Sequence, residues 1–420
     1  MKTILVKGPA LSRSGYGEQT RFALRALRAY ESRFNILLVN IPWGQTGWIA
    51  ESGEERDWYD QILAKGHVHM QQQLPVDISL QVTIPNEWEK IAPINIGYTA
   101  GIETTKVAPH WIEKSRLMDK IIVVSNHSKN VFNNTVYQGQ IEQTGEEVEF
   151  RNQTPIEVVN YPVRSLKKEN LDIKLDYDFN FLAVAQMGPR KNIPNTVYWF
   201  IDEFHNEEVG LVLKTNIRNC STQDCANTKQ QLKSIIDQYP DRKCKIYLLH
   251  GDLTLEEMNS LYANKNIKSF VTFTHGEGFG MPIFEAAYHG LPVIAPAWSG
   301  QNDFLHAYVK VGKRKKAKLR PLFCKVEYVM GQVPPEAVWD GVIQPNSGWC
   351  YPTEESAKKT MRQVYTDYSK YFKNAKQLKE YLLENFTEEQ QYTKFANHVY
   401  EEEAFEVEEW LSNLDIEDHE

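Results

Sequence analysis

An apolar run at residues 269–274 passes without a spacer into His275-Gly276-Glu277-Gly278-Phe279-Gly280. A helix-like segment follows, from Met281 and Pro282 through Glu285 to His289, and stops at Gly290-Leu291-Pro292 before a second apolar run at 292–295. Strand, glycine bend, helix and strand in so short a span leave little but an α/β layer with parallel strands. Pro282 suits a first helical turn, where its missing N–H costs nothing. Gly290 followed by Pro292 is a helix stop. The start of such a helix has unpaired N–H groups and a partial positive charge, a ready site for phosphate. The bend places two glutamates, Glu277 and Glu285, with seven residues between them. Gly278 and Gly280 would let a ligand approach the backbone. By spacing alone, an ordinary turn with two solvated glutamates is equally open.

The same pattern opens the chain. Residues 3–6 read as a buried strand leading into Ser14-Gly15-Tyr16-Gly17, with a helix expected from about Glu18 that carries Phe22, Leu24 and Leu27. The dinucleotide fingerprint is not completed, because Thr20 stands at its third glycine position. Apolar runs at 35–40, 77–82, 94–98, 120–125, 181–185, 211–215 and 245–249 alternate with polar or helical stretches. That alternation favours mostly parallel sheets wrapped by helices. The interval 43–74, with Trp48, Trp58 and weak periodicity, reads as an insertion.

A length of 420 residues suggests two or three domains, and 42% hydrophobic with 12% aromatic residues suggest well-packed ones. A formal charge of −8 gives no overall attraction to nucleic acid or anionic membrane. Cys220, Cys225 and Cys244 have no zinc-ligand spacing, and five cysteines without a pattern read as free thiols. With no run of signal-peptide or membrane-span length, a cytoplasmic protein is expected.

The bend, the two glutamates and the closing Gly290-Leu291-Pro292-Val293 resemble the E-x7-E region of the retaining GT-B glycosyltransferases, the glycogen-synthase-like branch that family 4 typifies. Similar enzymes occur in bacteriophage genomes. The resemblance covers residues 181–352 well and the first half more loosely. It implies two Rossmann-like domains facing a cleft, with a C-terminal helix crossing back to the first. The expected division is 1–163 acceptor domain, 164–178 linker, 179–385 donor domain and 386–420 returning helix with an acidic tail. It implies transfer of a sugar from a nucleotide-diphosphate donor, with retention of configuration and no further cofactor.

Carried onto this sequence, Glu277 lies beside the donor sugar and Glu285 on the ribose. Gly278, Phe279, Gly280, Met281 and Pro282 line the donor, and Gly15 and Gly17 face its phosphates. Arg190 and Lys191, in a compressed form of the family's Gly-Arg and Lys loop, pair with the diphosphate. Fixed cationic donors of this kind stabilise a charged leaving group. Lys214 also faces the phosphates, and His250 lies near the base. Glu103 stands where many relatives place a histidine that touches the sugar. With His110 it is a candidate for the acceptor side, a helix-capping role for Glu103 being equally open. Asp176-Tyr177-Asp178 reads as a solvated turn, and no metal is expected.

Residues 310–320 are the most basic run, with six Lys or Arg between Lys313 and Arg320. A solvated loop is the usual reading. The alternative is a grip on a polyanionic acceptor, which would allow glycosylation of hydroxymethylated DNA bases. A non-catalytic nucleotide-sugar binding protein is a further alternative. A glycoside hydrolase also uses paired carboxyls, but glutamates on a phosphate-type loop beside basic residues fit a charged leaving group better.

Overall fold

A computed structural model describes residues 1–140, 147–164, 167, 169, 171–311 and 316–401. Residues 312–315 of the basic run, Lys168 and Asn170 of the expected linker, and the tail from 402 lie outside the described residues. In the first half the elements run β1 (Lys2–Gly8), α1 (Gly15–Arg28), β2 (Phe34–Asn40), α2 (Glu54–Gln71), β3 (Ile78–Val82), β4 (Ile94–Thr99), α3 (Pro109–Ser115), β5 (Lys120–Val123), α4 (Asn126–Asn134), β6 (Val136–Gln140), β7 (Glu147–Arg151) and β8 (Ile156–Val158). The second half begins with β9 (Asn180–Val184), α5 (Ile193–Phe204), β10 (Gly210–Lys214), α6 (Thr222–Ile236), β11 (Lys245–Leu249), α7 (Leu255–Tyr262), β12 (Ile267–Val271), α8 (Met281–His289) and β13 (Val293–Pro296). It closes with β14 (His306–Val311), β15 (Lys316–Pro321), β16 (Cys324–Val326), β17 (Tyr328–Gln332), β18 (Gly348–Pro352), α9 (Glu354–Thr366), α10 (Tyr368–Asn385) and α11 (Glu388–Val399).

Among the described residues two six-stranded sheets form, ordered β2-β1-β3-β4-β5-β8 and β11-β10-β9-β12-β13-β16. Every pairing in them is parallel, with β1 registered Lys2 to Phe34 on β2 and β9 registered Asn180 to Gly210 on β10. Strands covered on both faces read as continuous apolar runs, as they do here. The order 3-2-1-4-5-6 in the second sheet is that of a Rossmann layer, and the first sheet starts as a 2-1-3-4-5 doubly wound layer. In both, ligands bind beyond the carboxyl ends of the strands, where the strand order reverses. In the second sheet that point lies between β9 and β12. The exits of those strands carry Arg190-Lys191 and the Glu277 bend.

Several local expectations need correction. The interval 43–74 is only in part an insertion, because α2 occupies 54–71 as the crossover from β2 to β3. Its periodicity is weak since only Tyr59, Ile62 and Gly66 are buried. Gly66 is there because a Cβ would come within 2.5 Å of the Leu38 carbonyl. Helix α1 starts at Gly15 and not near Glu18, with Ser14 as its cap. Gly348–Pro352 forms strand β18, antiparallel to β17. Of the basic run, residues 310–311 and 316–320 lie on β14 and β15, an antiparallel pair between β13 and β16 in the chain.

The chain returns to its first half through α11. Phe395 meets Phe22 of α1 edge-on at 5.3 Å, and Arg33 donates to the Asn397 side chain at 2.9 Å. Val163 donates its N–H to the Phe386 carbonyl at 2.7 Å, and Tyr161 packs on Phe279 at 5.2 Å. One apolar core therefore continues from the first sheet to the second.

Candidate active site

The exit of β9 makes a short 3₁₀ turn, Pro189–Lys191, and then Asn192 takes the left-handed conformation at φ 54°. Asn192 donates its side-chain N–H to the Phe273 carbonyl at 3.1 Å, and His275 donates its N–H to the Arg190 carbonyl at 2.8 Å. These bonds tie the turn to the bend after β12, where residues 273–280 are all buried. Lys191 Nζ thus lies 2.6 and 2.8 Å from the two carboxylate oxygens of Glu277. Arg190 Nη1 donates to Glu277 Oε2 at 3.0 Å and to the Gly276 carbonyl at 2.5 Å. Burial alone would raise the Glu277 pKa, but Lys191 and Arg190 hold it down to about 2. Burial, then Arg190, push the Lys191 pKa below its ordinary value against the pull of Glu277.

The bend is braced from behind. Glu277 donates its N–H to Ser299 Oγ at 2.8 Å, and Gly300 donates its N–H to the Glu277 carbonyl at 2.9 Å. A Cβ on Gly300 would lie 2.0 Å from the Gly278 carbonyl, so no side chain fits there. Gly278 and Gly280 are glycine for a reason other than ligand approach. A Cβ at Gly278 would meet the Ala100 carbonyl at 2.7 Å, while Gly280 caps α8 at φ 97°. The Phe279 ring does not face a ligand either, since it packs among Tyr161, Phe284 and Phe304.

Helix α8 begins at Met281 with no side-chain cap and with Pro282 in its first turn. Its N–H end is thereby left for a ligand or water. Glu285, one turn in, is half-buried, and burial raises its pKa to about 7. The neighbouring Tyr262 and, across the cleft, Arg164 oppose that rise, while Glu18 adds to it.

Helix α1 forms the facing wall. Ser14 Oγ accepts the Gly17 N–H at 3.0 Å, and a Cβ on Gly17 would lie 2.0 Å from the Ser12 carbonyl. Gly15 has open space where a Cβ would be, so its backbone can be approached. Glu18 is partly buried among Arg21, Arg25 and Arg164, which hold its pKa far below the ordinary range despite the cost of burial. Tyr16 pairs its hydroxyl with Thr99 at 2.7 Å and packs its ring, tilted, on Trp43 at 4.4 Å. The loop after β4 then brings Glu103 Oε1 to 3.1 Å from Arg190 Nη2. Glu103 caps no helix, for α3 is capped by Ala108.

The two halves also meet through Ser125 Oγ, which donates to the Gly278 carbonyl at 2.6 Å, and through Asn126 and Asn160, which both donate to Asp303 at 3.1 Å. At the rim Arg218 reaches Gln45 at 3.2 Å and Arg13 lies 3.6 Å from Asp252.

Other candidates stand apart from the Glu277 cluster. Lys214 donates to the Gly251 carbonyl at 2.6 Å. His250 Nε2 lies 2.9 Å from Asp224, which also accepts the N–H groups of Ile217 and Arg218. Its ring therefore braces the loop after β10. His110 is exposed on α3 with Glu113 as its partner at 3.0 Å, and no bond of the cluster involves it. Asp176 pairs with Lys245 and Tyr247 in a surface turn. Among the described residues no group of three His, Cys, Asp or Glu is placed to hold a metal. Sequence reasoning had no role for Tyr16, Glu18, Arg164 or Ser299. Tyr16, Arg164 and Ser299 act through partners far along the chain, and Glu18 joins the distant Arg164 to its own helix neighbours Arg21 and Arg25.

The sequence matches no protein-family model and, at significance, no curated protein. Solved structures share the fold over nearly the whole chain. Sucrose-phosphate synthase from Thermosynechococcus elongatus aligns with a TM-score of 0.60 at 13% identity, over 95% of this chain and 98% of that one. A glycosyltransferase from Rickettsia africae ESF-5 aligns at 0.57 and 14% identity, over 98% and 99%. HepE from Anabaena, determined with UDP and glucose, aligns at 0.56 and 13% identity, over 95% and 99%. The fold is GT-B, two Rossmann-like domains about a cleft.

Proposed function

We infer that this chain is a retaining glycosyltransferase that moves a sugar from a nucleotide-diphosphate donor to an acceptor hydroxyl. The observation that carries this reading is the Arg190-Lys191-Glu277 cluster at the point where the strand order of the second sheet reverses. Its support from outside is the shared fold, including a neighbour determined with UDP and glucose. As the bond from the anomeric carbon to the donor phosphate breaks, negative charge builds on the diphosphate. Two cations already in place stabilise it without rearrangement. The open end of α8 and the backbone at Gly15 add N–H groups on either side. Glu277, held ionised, orients the sugar hydroxyls, and Glu285 accepts from the ribose. In a front-face displacement the acceptor oxygen bonds to the anomeric carbon on the side the phosphate leaves, and the phosphate oxygen takes the acceptor's proton. No further cofactor is proposed, and the five free thiols fit a cytoplasmic setting.

Incubation with UDP-, GDP-, ADP- and CDP-sugars tests this. One donor should release its nucleoside diphosphate with wild type, and the anomeric proton coupling of the product should match that of the donor. An inverted product would remove the retaining mechanism. Release by wild type also separates this reading from a non-catalytic nucleotide-sugar binding protein.

One observation favours a polyanionic acceptor such as hydroxymethylated DNA. On the β14–β15 hairpin Tyr308 and Leu319 stand opposite each other and exposed, with Lys318 and Arg320 also exposed beside them. Cationic contacts to phosphate give binding that weakens steeply with salt. DNA binding by wild type that is salt-insensitive, or unchanged in Lys318→Gln/Arg320→Gln, would rule this acceptor out.

A further inference from the structure

The cluster contains one charge more than a diphosphate site needs. Arg190 and Lys191 face two carboxylates, Glu277 and Glu103, so the four formal charges sum to zero before any ligand arrives. Glu277 belongs to the same domain and the same bend as the cations. Glu103 reaches across from the first domain and takes the Arg190 nitrogen, Nη2, that Glu277 leaves free.

Its position is not incidental to a loose loop. A Cβ on Gly276 would lie 2.4 Å from the Glu103 carbonyl, so the two backbones are in contact. Upstream, Ser128 Oγ donates to the Ala100 carbonyl at 3.0 Å, and Gly101 takes φ 76° against the Ser128 side chain. Downstream, Thr105 donates its N–H to the Gly348 carbonyl at 3.2 Å and accepts the Gly348 N–H at 2.8 Å. His127 packs beneath, near the backbone of Ile102 and Thr104 and edge-on to Trp298 at 5.0 Å. The loop is held at both ends, so the carboxylate stays beside Arg190 unless its own side chain turns away.

We propose that Glu103 gates the donor site by occupying the Arg190 guanidinium that an incoming diphosphate requires, an inference that rests on the donor-site reading above. A guanidinium pairs best with an oxyanion through two parallel N–H bonds. Here one arm is held by Glu277 and Gly276 and the other by Glu103. Donor entry therefore displaces Glu103, and the ion pair re-forms when the nucleoside diphosphate leaves. Glu103 thus sets donor affinity and speeds product release without touching the reacting atoms.

The test is calorimetric titration with UDP, GDP, ADP and CDP of wild type, Glu103→Gln and Glu103→Ala. For the nucleotide that wild type binds, both variants should bind about tenfold tighter in 50 mM salt. The gain should shrink at 0.5 M salt, where charge interactions are screened. The matching nucleoside, which lacks phosphates, should show no such gain. A variant that binds the diphosphate equally or more weakly while wild type binds it would overturn the gate and leave the donor site standing. If wild type binds none of the four, the donor-site reading falls and the gate with it. A loop that merely needed Glu103 for its shape would lose affinity in both variants.

Discussion

Glu285 is the residue whose proton is most exposed to experiment. Burial raises its pKa from an ordinary 4.5 to about 7. Between those values the unfolded chain has released the proton and the folded chain keeps it, so stability falls as pH rises from 4.5 to 7. The full cost at pH 8 is on the order of 3 kcal/mol, reduced by whatever water reaches this half-buried group. Glu285→Gln should lose less melting temperature between pH 5 and pH 8 than wild type does. Parallel curves would show that Glu285 carries no such penalty. Glu277 behaves in the opposite sense. With a folded pKa of about 2 it stays ionised where the unfolded chain's carboxyl takes up a proton, so its contribution is complete above pH 4.5 and is lost progressively as acid takes the pH from 4.5 to 2. Its replacement by Gln leaves Arg190 and Lys191 without their shared carboxylate and the sugar without its orienting group. Turnover should fall by at least about 100-fold, as misplaced reacting groups do, with kcat the parameter to measure.

At the scale of elements, the two glycines at the start of α1 divide into one that packing requires, Gly17, and one that faces open space, Gly15. Gly17→Ala would drive a methyl into the Ser12 carbonyl and should cost about 1–3 kcal/mol in urea denaturation. Gly15→Ala meets nothing within 4 Å and adds helix propensity, so the fold should be unharmed or slightly firmer. If Gly15 serves the donor's phosphates, nucleotide affinity should nevertheless drop in that variant. The long apolar strands and the stop at Gly290 were legible because strands covered on both faces must be apolar and a left-handed cap favours glycine. The hairpin β6–β7 and the strand β17 were not, because their residues are at most half-buried and show no apolar run. The start of α1 was displaced because Ser14 and the two glycines look like a loop until the cap hydrogen bond is seen.

For the whole molecule, distant segments decide the site. Phe395 of α11 is fully buried against Phe22 and Tyr98 of the first sheet's layer. Phe395→Ala should cost about 3–5 kcal/mol, and chemical denaturation would show it. The pairing of Glu103 with Arg190, and of Glu18 with Arg164 beside Glu285, joins residues 87 and 146 positions apart. No local pattern could have matched them. The resemblance to the E-x7-E enzymes supplied roles for Glu277 and the two cations. The assembly of those residues into one charged lattice required the fold.

The most direct measurement is the thermal midpoint of wild type and of Arg190→Gln/Lys191→Gln with UDP-, GDP-, ADP- and CDP-sugars. A ligand at about 100 times its Kd stabilises by roughly 2.7 kcal/mol. One of the four classes should raise the wild-type midpoint by that order, and the rise should vanish in the double variant. No rise with any donor, or an equal rise in both proteins, would contradict a donor diphosphate held by Arg190 and Lys191.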